Sequence, residues 1–259
     1  MKRYSDLDKR MKNYEAIPKT KLMRRTPVII RIDGRAFHTF TQNLRKPFDT
    51  ILMETMQETT KYLCENIPGC VLGYTQSDEI SLVLIDYDTL DKSAWFDYEV
   101  QKMCSVVASM TTMKFNKIFS NKVDDAWYAL IFEEEENYIE ALIEAVDMGA
   151  CFDTRVFNIP KEEVTNYIYW RQADASRNSV QMVGHANFTE EEMHKKSLSA
   201  IQDMLMTEKG INWNDFTVPQ KRGTCTVKVP VDKIIQKKNG SLIMTFQFLK
   251  VSQETMLTN

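Results

Sequence analysis

Residues 71–85 read VLGYTQSDEISLVLI, in which two runs of β-favouring residues, 71–75 and 80–85, flank the polar link QSDE at 76–79. This pattern predicts a β-hairpin whose link carries two carboxylates, Asp78 and Glu79. Upstream, residues 28–33 read VIIRID and are followed by Gly34, which predicts a mostly buried strand and then a tight turn. The hairpin and this first strand are the elements from which the rest of the fold is predicted.

A helix is predicted between the first strand and the hairpin, with Asp49 as its N-cap and Leu52, Met56 and Leu63 on one face. Methionine and valine residues at helical spacing predict a second helix over 95–118, and residues 152–157 predict another strand. The order strand, helix, hairpin, helix, strand is that of the ferredoxin-like arrangement. The predicted fold class is therefore α+β, an antiparallel sheet with helices on one face.

The C-terminal part is predicted to be mainly helical over 161–209 and to end in strands over 224–229 and 242–251. This gives a catalytic core over 1–160, with a short helix in its basic N-terminal segment, and a helical extension over 161–259. We expect the extension to pack on the core as one unit.

The 259 residues carry a net charge of −3, which by itself argues against a nucleic-acid partner. The distribution argues differently, because residues 1–46 hold 13 Lys/Arg and 4 Asp/Glu. Residues 208–238 are basic again, with seven Lys/Arg against three acids. Such asymmetry is typical of a polyanion-binding face or, equally, of a solvated basic arm.

No apolar run approaches the roughly 18 residues of a membrane span. The N-terminus has no apolar segment of the kind that secretory signals contain. The five cysteines form no CxxC pair and are expected to be free, mostly buried thiols. We therefore expect a cytoplasmic protein without a membrane partner.

Two carboxylates are predicted to meet at one edge of the sheet. Asp33 ends the first strand and Asp78 lies in the hairpin link, and these strands are neighbours in a ferredoxin-like sheet. Mg²⁺ binds one or two carboxylates together with water and phosphate, and two such ions serve in-line phosphoryl transfer. Either motif alone is more typical of a plain turn or a solvated loop than of a metal site. Their combination in this topology favours a magnesium and nucleotide site, in which Gly34 would let a triphosphate approach the backbone.

Three motifs resemble the signatures of the tRNA(His) guanylyltransferase superfamily. They are RIDGRAFH at 31–38, QSDE at 76–79 and WRQAD at 170–174, and matches continue to KRGT at 221–224. Members of this superfamily add nucleotides to RNA 5′ ends in the 3′→5′ direction with a domain like the polymerase palm. The resemblance implies a ferredoxin-like palm, two Mg²⁺ ions, ATP and GTP or other NTPs as substrates, tRNA as partner and a homotetramer.

The resemblance also implies roles for individual residues. Asp33 and Asp78 would bind the two metal ions, with Gly34 lending its carbonyl, and Glu79 would be a supporting catalytic carboxylate. The nucleotide would be held by Asp33, Gly34, Arg35, Ala36, Phe37, His38, Ser77 and Asp78. The RNA would be contacted by Lys46, Arg171, Gln172, Asn178, Lys221 and Arg222.

One departure from the family pattern bears on the substrate. In the eukaryotic enzymes WRQAD is followed by CHINNLYN, whereas residues 175–181 here read ASRNSVQ. Asn178 remains, and Ser176 stands at the position of the histidine. This is the pattern of the bacterial and archaeal guanylyltransferase-like proteins, which favour template-directed 5′-end repair of truncated tRNAs after activation of the 5′-phosphate.

Other functions share parts of the pattern. A tRNA(His)-specific enzyme that adds a single G is the nearest alternative. A palm-type nucleotidyl cyclase has the same two acids, but neither WRQAD nor the basic stretches suit a small substrate. A non-catalytic RNA-binding protein would leave the two acids unexplained, because carboxylates repel RNA unless a metal intervenes.

Overall fold

Helices and strands alternate along the part of the chain that the structure describes. The computed structural model describes residues 5–132, 135–231 and 245–251. Its elements are α1 (Asp6–Ala16), β1 (Val28–Gly34), α2 (Phe37–Phe40), α3 (Thr50–Asn66), β2 (Cys70–Gln76), β3 (Glu79–Leu84), α4 (Val100–Phe132), α5 (Glu136–Met148), β4 (Phe152–Asn158), α6 (Glu163–His185), α7 (Glu190–Met193), α8 (Leu198–Lys209), α9 (Val218–Arg222), β5 (Thr224–Val231) and β6 (Thr245–Val251).

The described strands form one antiparallel sheet in the order β4-β1-β3-β2-β5-β6. β1 lies between β4 and β3 and pairs with both along its length. The predicted hairpin is confirmed as β2 and β3, and the strands predicted near 28–33, 152–157 and 224–229 are confirmed as β1, β4 and β5. Residues 242–244 of the last predicted strand lie outside the described residues.

The larger hydrophobic core lies on one face of the sheet, against α3, α4 and α5. Val28, Ile30 and Ile32 of β1 point into it and are fully buried. The facing helices supply Met56, Leu63, Met103, Val107, Phe115, Phe119 and Leu142. Full burial of each such side chain contributes about 1.5–3 kcal/mol to the stability of the fold. This core therefore requires apolar residues at positions 28, 30 and 32 of β1.

The other face of the sheet is covered in part by α6, which corrects the prediction that helices lie on one face only. Ile29 of β1 and Val83 of β3 pack there against Tyr167 and Ile168 of α6. The Tyr167 hydroxyl also lies 2.9 Å from the Ser81 Oγ. On this face β1 and β3 carry apolar Ile29 and Val83 beside polar Arg31, Glu79 and Ser81. Burial of that apolar part requires the cover that α6 provides.

The chain beyond residue 160 contributes to this same sheet. α6, α7 and α8 confirm the helical prediction for 161–209, and α6 and α8 share a smaller apolar cluster around Val183, Ile201 and Leu205. β5 then pairs with β2 on the side away from β3. Strands from both sides of the predicted division at residue 160 therefore belong to the same sheet.

The helix predicted over 95–118 has different bounds. Residues 95–98 form a short 3-10 turn in which Phe96, Asp97 and Tyr98 have positive φ, so α4 begins only at Val100. It continues to Phe132 because buried positions recur beyond Phe115. The helix α5, whose Tyr138, Ile139, Leu142 and Ala145 are buried, was not predicted. The four glutamates at 133–136 are typical of a solvated turn, yet the last of them, Glu136, begins α5; residues 133 and 134 lie outside the described residues.

No helix within residues 5–132, 135–231 and 245–251 is long and apolar enough to cross a membrane. The five cysteines are free, as predicted, and Cys64, Cys70 and Cys225 are buried.

Asp49 connects the start of α3 to α5 through a buried carboxylate. It is 5% exposed and accepts hydrogen bonds from the Leu52 N–H at 2.9 Å and the Tyr138 hydroxyl at 2.6 Å. The predicted N-cap is thus confirmed, and it serves a second helix as well.

Asp49→Ala should lower the free energy of unfolding by about 2–4 kcal/mol, because it removes a cap and leaves a buried hydroxyl unpaired. Denaturant unfolding followed by circular dichroism measures this. The matched control is Ser197→Ala at the exposed N-cap of α8, which should cost about 1 kcal/mol. Equal costs for the two variants would contradict a stabilising role for the Asp49–Tyr138 contact.

Candidate active site

Strand pairing holds Asp33 and Asp78 at the same edge of the sheet. Asp33 is the last side chain of β1 before Gly34, and it lies opposite Glu79 on β3 and Asp153 on β4. The Gly34 N–H donates to the Asp78 carbonyl at 3.2 Å. The end of β1 and the β2–β3 turn are therefore fixed to each other through the backbone.

The β2–β3 turn has two residues, Ser77 and Asp78, between the paired residues Gln76 and Glu79. Ser77 has a φ of 49°, which a tight two-residue hairpin turn favours. Burial and the nearby Asp33 carboxylate raise the pKa of Asp78 to about 6. Two carboxylates close together, one of them withdrawn from water, make a position where a cation is stabilised.

The oxygen donors at this edge suit Mg²⁺. Asp33 and Asp78 supply two carboxylates, and backbone carbonyls lie beside them, which is the donor set that Mg²⁺ takes together with water and phosphate. Within the described residues no group of three or more His, Cys, Asp or Glu side chains is placed to hold a metal ion. The Glu79 Oε2 accepts from Arg31 and Arg171, at 2.7 and 2.8 Å, so this oxygen is engaged by two guanidinium groups rather than free for a metal ion.

Gly34 is required by the packing of Phe37. A Cβ at residue 34 would lie 2.2 Å from a carbon of the Phe37 ring. That ring is buried among Phe40, Phe115 and Phe152, with centroid distances of 5.0–5.8 Å. The sequence suggests that glycine is needed here so that a triphosphate can approach the backbone. The packing of the Phe37 ring is a second, structural reason for glycine at this position. The Phe37 ring belongs mainly to the core, with 6% of the residue exposed.

A cavity of about 450 Å³ is lined by Asp78 and by Gly34 at the end of β1, whereas the predicted nucleotide-binding residue Asp33 does not line it. Of the residues predicted to hold the nucleotide, it is lined by Gly34, Ala36, Phe37, His38, Ser77 and Asp78. Lys46 also lines it and donates from Nζ to the Thr41 carbonyl at 2.8 Å. Arg35 is exposed but does not line this cavity, whereas Arg45 and Met182, which were not predicted, do. The cavity combines the imidazole of His38, the cationic side chains of Arg45 and Lys46, and the carboxylates of Asp49 and Asp78.

A second, narrower cavity of about 80 Å³ adjoins the first, and the two share Asp49, Leu52, Ser77 and Met182. Asn178 of α6 lines it, together with Gln57, Gln76 and Gln220. Its polar lining consists mainly of uncharged amides and hydroxyls, so it suits a neutral hydrogen-bonding group rather than a phosphate.

The prediction that Arg171 and Gln172 contact RNA is wrong for their side chains. They are 3% and 4% exposed, because this side of α6 faces the sheet. The Arg171 guanidinium pairs with Glu79 and approaches Asp174 at 3.4 Å. The neighbouring Trp170 is 52% exposed, so the motif presents its aromatic residue, not its arginine, to the outside.

The other predicted RNA contacts lie nearer to solvent. Lys46 is exposed, and Lys221 and Arg222 at the end of α9 are partly exposed. The Lys221 Nζ donates to the Asn214 carbonyl at 2.5 Å and lies over the Trp213 ring. These cations and the partly exposed Asn178 remain candidate contacts.

Arg31 is a residue of the site that the sequence reasoning did not single out. It lies on β1 two residues before Asp33 and therefore on the same face. The signal was present, because a charged residue inside an otherwise apolar strand requires a buried partner. Glu79 is that partner.

Comparisons with known proteins give a consistent family. The family profile described as "Thg1: tRNAHis guanylyltransferase" matches residues 8–160, more than half of the chain. A protein of Acanthamoeba polyphaga mimivirus is 28% identical, covering 96% of this chain and 86% of its own. The tRNA(His) guanylyltransferase of Debaryomyces hansenii is 27% identical, covering 80% of this chain and 75% of its own.

Solved structures agree with these relatives. A bacterial tRNA(His) guanylyltransferase (Thg1)-like protein in complex with ATP is 41% identical, with a TM-score of 0.74 over 93% of this chain and 92% of that one. One in complex with GTP is 37% identical, with a TM-score of 0.71 over 98% and 93%. The Saccharomyces cerevisiae enzyme, at 18% identity and a TM-score of 0.64 over 90% and 95%, shares the fold.

Gly34→Ala should lower the free energy of unfolding by about 1–3 kcal/mol, because the added methyl group overlaps the Phe37 ring. Thermal and denaturant unfolding measure this. The double variant Gly34→Ala/Phe37→Leu should recover part of the loss, since the smaller side chain can yield. Unchanged stability in Gly34→Ala combined with lost nucleotide binding would contradict the packing explanation and favour the triphosphate one.

Proposed function

Since the chain belongs to the Thg1 family of tRNA(His) guanylyltransferases and is thus a nucleotidyltransferase, we propose that it adds nucleotides to the 5′ end of tRNA in the 3′→5′ direction, guided by a template strand. The observation that carries the proposal is the placement of Asp33 and Asp78 at one sheet edge beside a cavity with cationic side chains. Repair of truncated tRNA 5′ ends is the task that we infer.

The sheet order supports a polymerase-like palm. β4, β1, β3 and β2 are adjacent in that order, and the helices that connect β1 to β2 and β3 to β4 include α3 and α4, which lie on one face. This is the ferredoxin-like order, in which the end of β1 and the β2–β3 turn meet. A palm of this kind places its acidic pair where Asp33 and Asp78 lie.

Asp33 and Asp78, with the Gly34 carbonyl, are the groups that would hold Mg²⁺. When bound, two such ions lower the pKa of an attacking hydroxyl and neutralise the phosphate oxygens of the leaving group. The protein's own contribution is to position the reactants and to place charge around them. His38, Arg45 and Lys46 line the cavity on the side where a triphosphate would need compensation of its charge.

The proposed reaction consists of two successive transfers, an adenylyl transfer and then a nucleotidyl transfer. In the first, the 5′-monophosphate of the RNA attacks the α-phosphate of ATP and pyrophosphate leaves, which gives an adenylylated 5′ end. In the second, the 3′-hydroxyl of an incoming NTP attacks the RNA 5′-phosphate and AMP leaves. That bacterial Thg1-like proteins were solved in complex with ATP and with GTP supports the binding of these nucleotides by this chain.

The RNA is expected to approach over the cations that remain accessible. Lys46 stands at the cavity wall, and Lys221 and Arg222 lie at the end of α9, next to the Gln220 that lines the narrower cavity. The exposed Trp170 offers an aromatic face of the kind on which unpaired bases stack. Binding by these cations should weaken as salt rises.

Asp33→Asn and Asp78→Asn should each reduce nucleotide addition by at least about a hundredfold, because each removes a charge that stabilises metal and phosphate. Transfer of labelled NTP to a 5′-phosphorylated tRNA measures this, with circular dichroism to show that the fold is kept. The matched control is Asp153→Asn, which removes the exposed carboxylate directly opposite Asp33 on β4 and should leave addition within about threefold. Near-normal addition by either site variant would contradict the assignment.

The substrate prediction follows from Ser176 at the position of the family histidine. Truncated tRNAs of several identities, with 5′-monophosphates and a template base opposite the missing nucleotide, should all be extended with the complementary NTP when ATP is present. Primer-extension mapping of the 5′ end reads the product. Addition confined to a single G on full-length tRNA(His) would favour the tRNA(His)-specific alternative.

A further inference from the structure

We propose that Glu79 holds the Arg31 guanidinium away from Asp33 and so keeps Asp33 available to Mg²⁺, while Arg171 of α6 anchors Glu79. The inference rests on the proposed function, because it takes Asp33 as a metal ligand. Arg31, Glu79 and Arg171 are then positioning residues rather than groups that touch the reacting atoms.

The distances show that Arg31 stands between two carboxylates. Its Nη2 lies 2.7 Å from the Glu79 Oε2 and 3.7 Å from the Asp33 Oδ2. The first contact is a charge-assisted hydrogen bond, whereas the second is too long to be one. Because Arg31 and Asp33 share one face of β1, a small rotation of the Arg31 side chain would bring it onto Asp33.

Glu79 is fixed by burial and by a second guanidinium. It is 4% exposed, and the Arg171 Nη1 donates to the same Oε2 at 2.8 Å. Arg171 is itself 3% exposed and is positioned by α6. A buried carboxylate of this kind is costly to leave unpaired, so both guanidinium groups stay with it.

Loss of the Glu79 charge would change the partner of Arg31. Among the described residues, the other carboxylate within 4 Å of the Arg31 guanidinium is that of Asp33, at 3.7 Å. A guanidinium on Asp33 occupies the oxygens that a metal ion would need, so the two cations would compete. A different role for Glu79, direct ligation of the metal, predicts no such competition.

The experiment titrates the nucleotide-free protein with Mn²⁺, a stand-in for Mg²⁺ that is detected by electron paramagnetic resonance. Glu79→Gln should weaken Mn²⁺ binding by about tenfold, of the size expected for one charged pair. Arg31→Met alone should bind Mn²⁺ at least as tightly as the wild type. The double variant Glu79→Gln/Arg31→Met should return to within about threefold of the wild type, because the competing cation is gone.

Arg155→Met is the matched control. Arg155 lies opposite Arg31 on β4, is exposed, and approaches Asp153 rather than Glu79. Combined with Glu79→Gln it should leave Mn²⁺ binding weak, whereas a general effect of lost positive charge would restore binding as well as Arg31→Met does.

Three outcomes would overturn the inference: wild-type binding by Glu79→Gln, a double variant no better than Glu79→Gln, or equal restoration by the Arg155→Met control. If thermal unfolding shows that Glu79→Gln does not fold, Arg31→Met decides, and weaker binding than the wild type overturns the inference. Failure of the proposed metal site would give a different result, which separates it from failure of this inference. In that case the wild type would not bind Mn²⁺, or Asp33→Asn would bind Mn²⁺ as well as the wild type does.

Discussion

The neutralisation of buried charge between the sheet and α6 is the constraint on which the site depends. Arg31, Glu79 and Arg171 meet where α6 packs on β1 and β3; Glu79 and Arg171 are buried, and Arg31 is partly exposed. Their pairing lets α6 cross the polar end of β1 and β3 instead of only their apolar part. Later turns of the same helix then supply Asn178 and Met182 to the two cavities. One ion network thus positions a wall of the site.

The two faces of the sheet have different tasks. Ile30 and Ile32 face α3 and α4 in a core of aliphatic and aromatic side chains. Arg31 and Asp33 alternate with them and face α6. The packed face makes β1 rigid, so the charged face can hold two carboxylates close together against their repulsion. Gly34 serves the packed face, because the absence of a Cβ leaves room for the Phe37 ring to enter the core next to the acidic end of β1.

Much of this was predictable because the signals are local. The hairpin, the capped helix after Asp49 and the pair of Asp33 and Asp78 all follow from short patterns and from strand order. The burial of Arg171 and the cover on the second face were not predictable in this way, since both depend on where a distant helix packs. α5 was not predicted because the glutamates at 133–136 are typical of a solvated turn, although Tyr138, Leu142 and Ala145 follow at helical spacing. Family resemblance identified the motifs but not which side chains turn inward.

The strand β5 has a consequence for how the chain can be divided. It pairs with β2 over Leu72 to Thr75. The preceding Gly223 lies so close to β2 that a Cβ at this position would be 2.5 Å from the Thr75 carbonyl oxygen. A fragment that stops near residue 160 would leave that edge without its partner and the apolar surface around Ile29 and Val83 without α6. Open edges of this kind pair with other chains. We therefore expect the segment that the family profile matches to associate with other chains when it is made alone, because a later part of the sequence supplies the strand that covers its β2 edge.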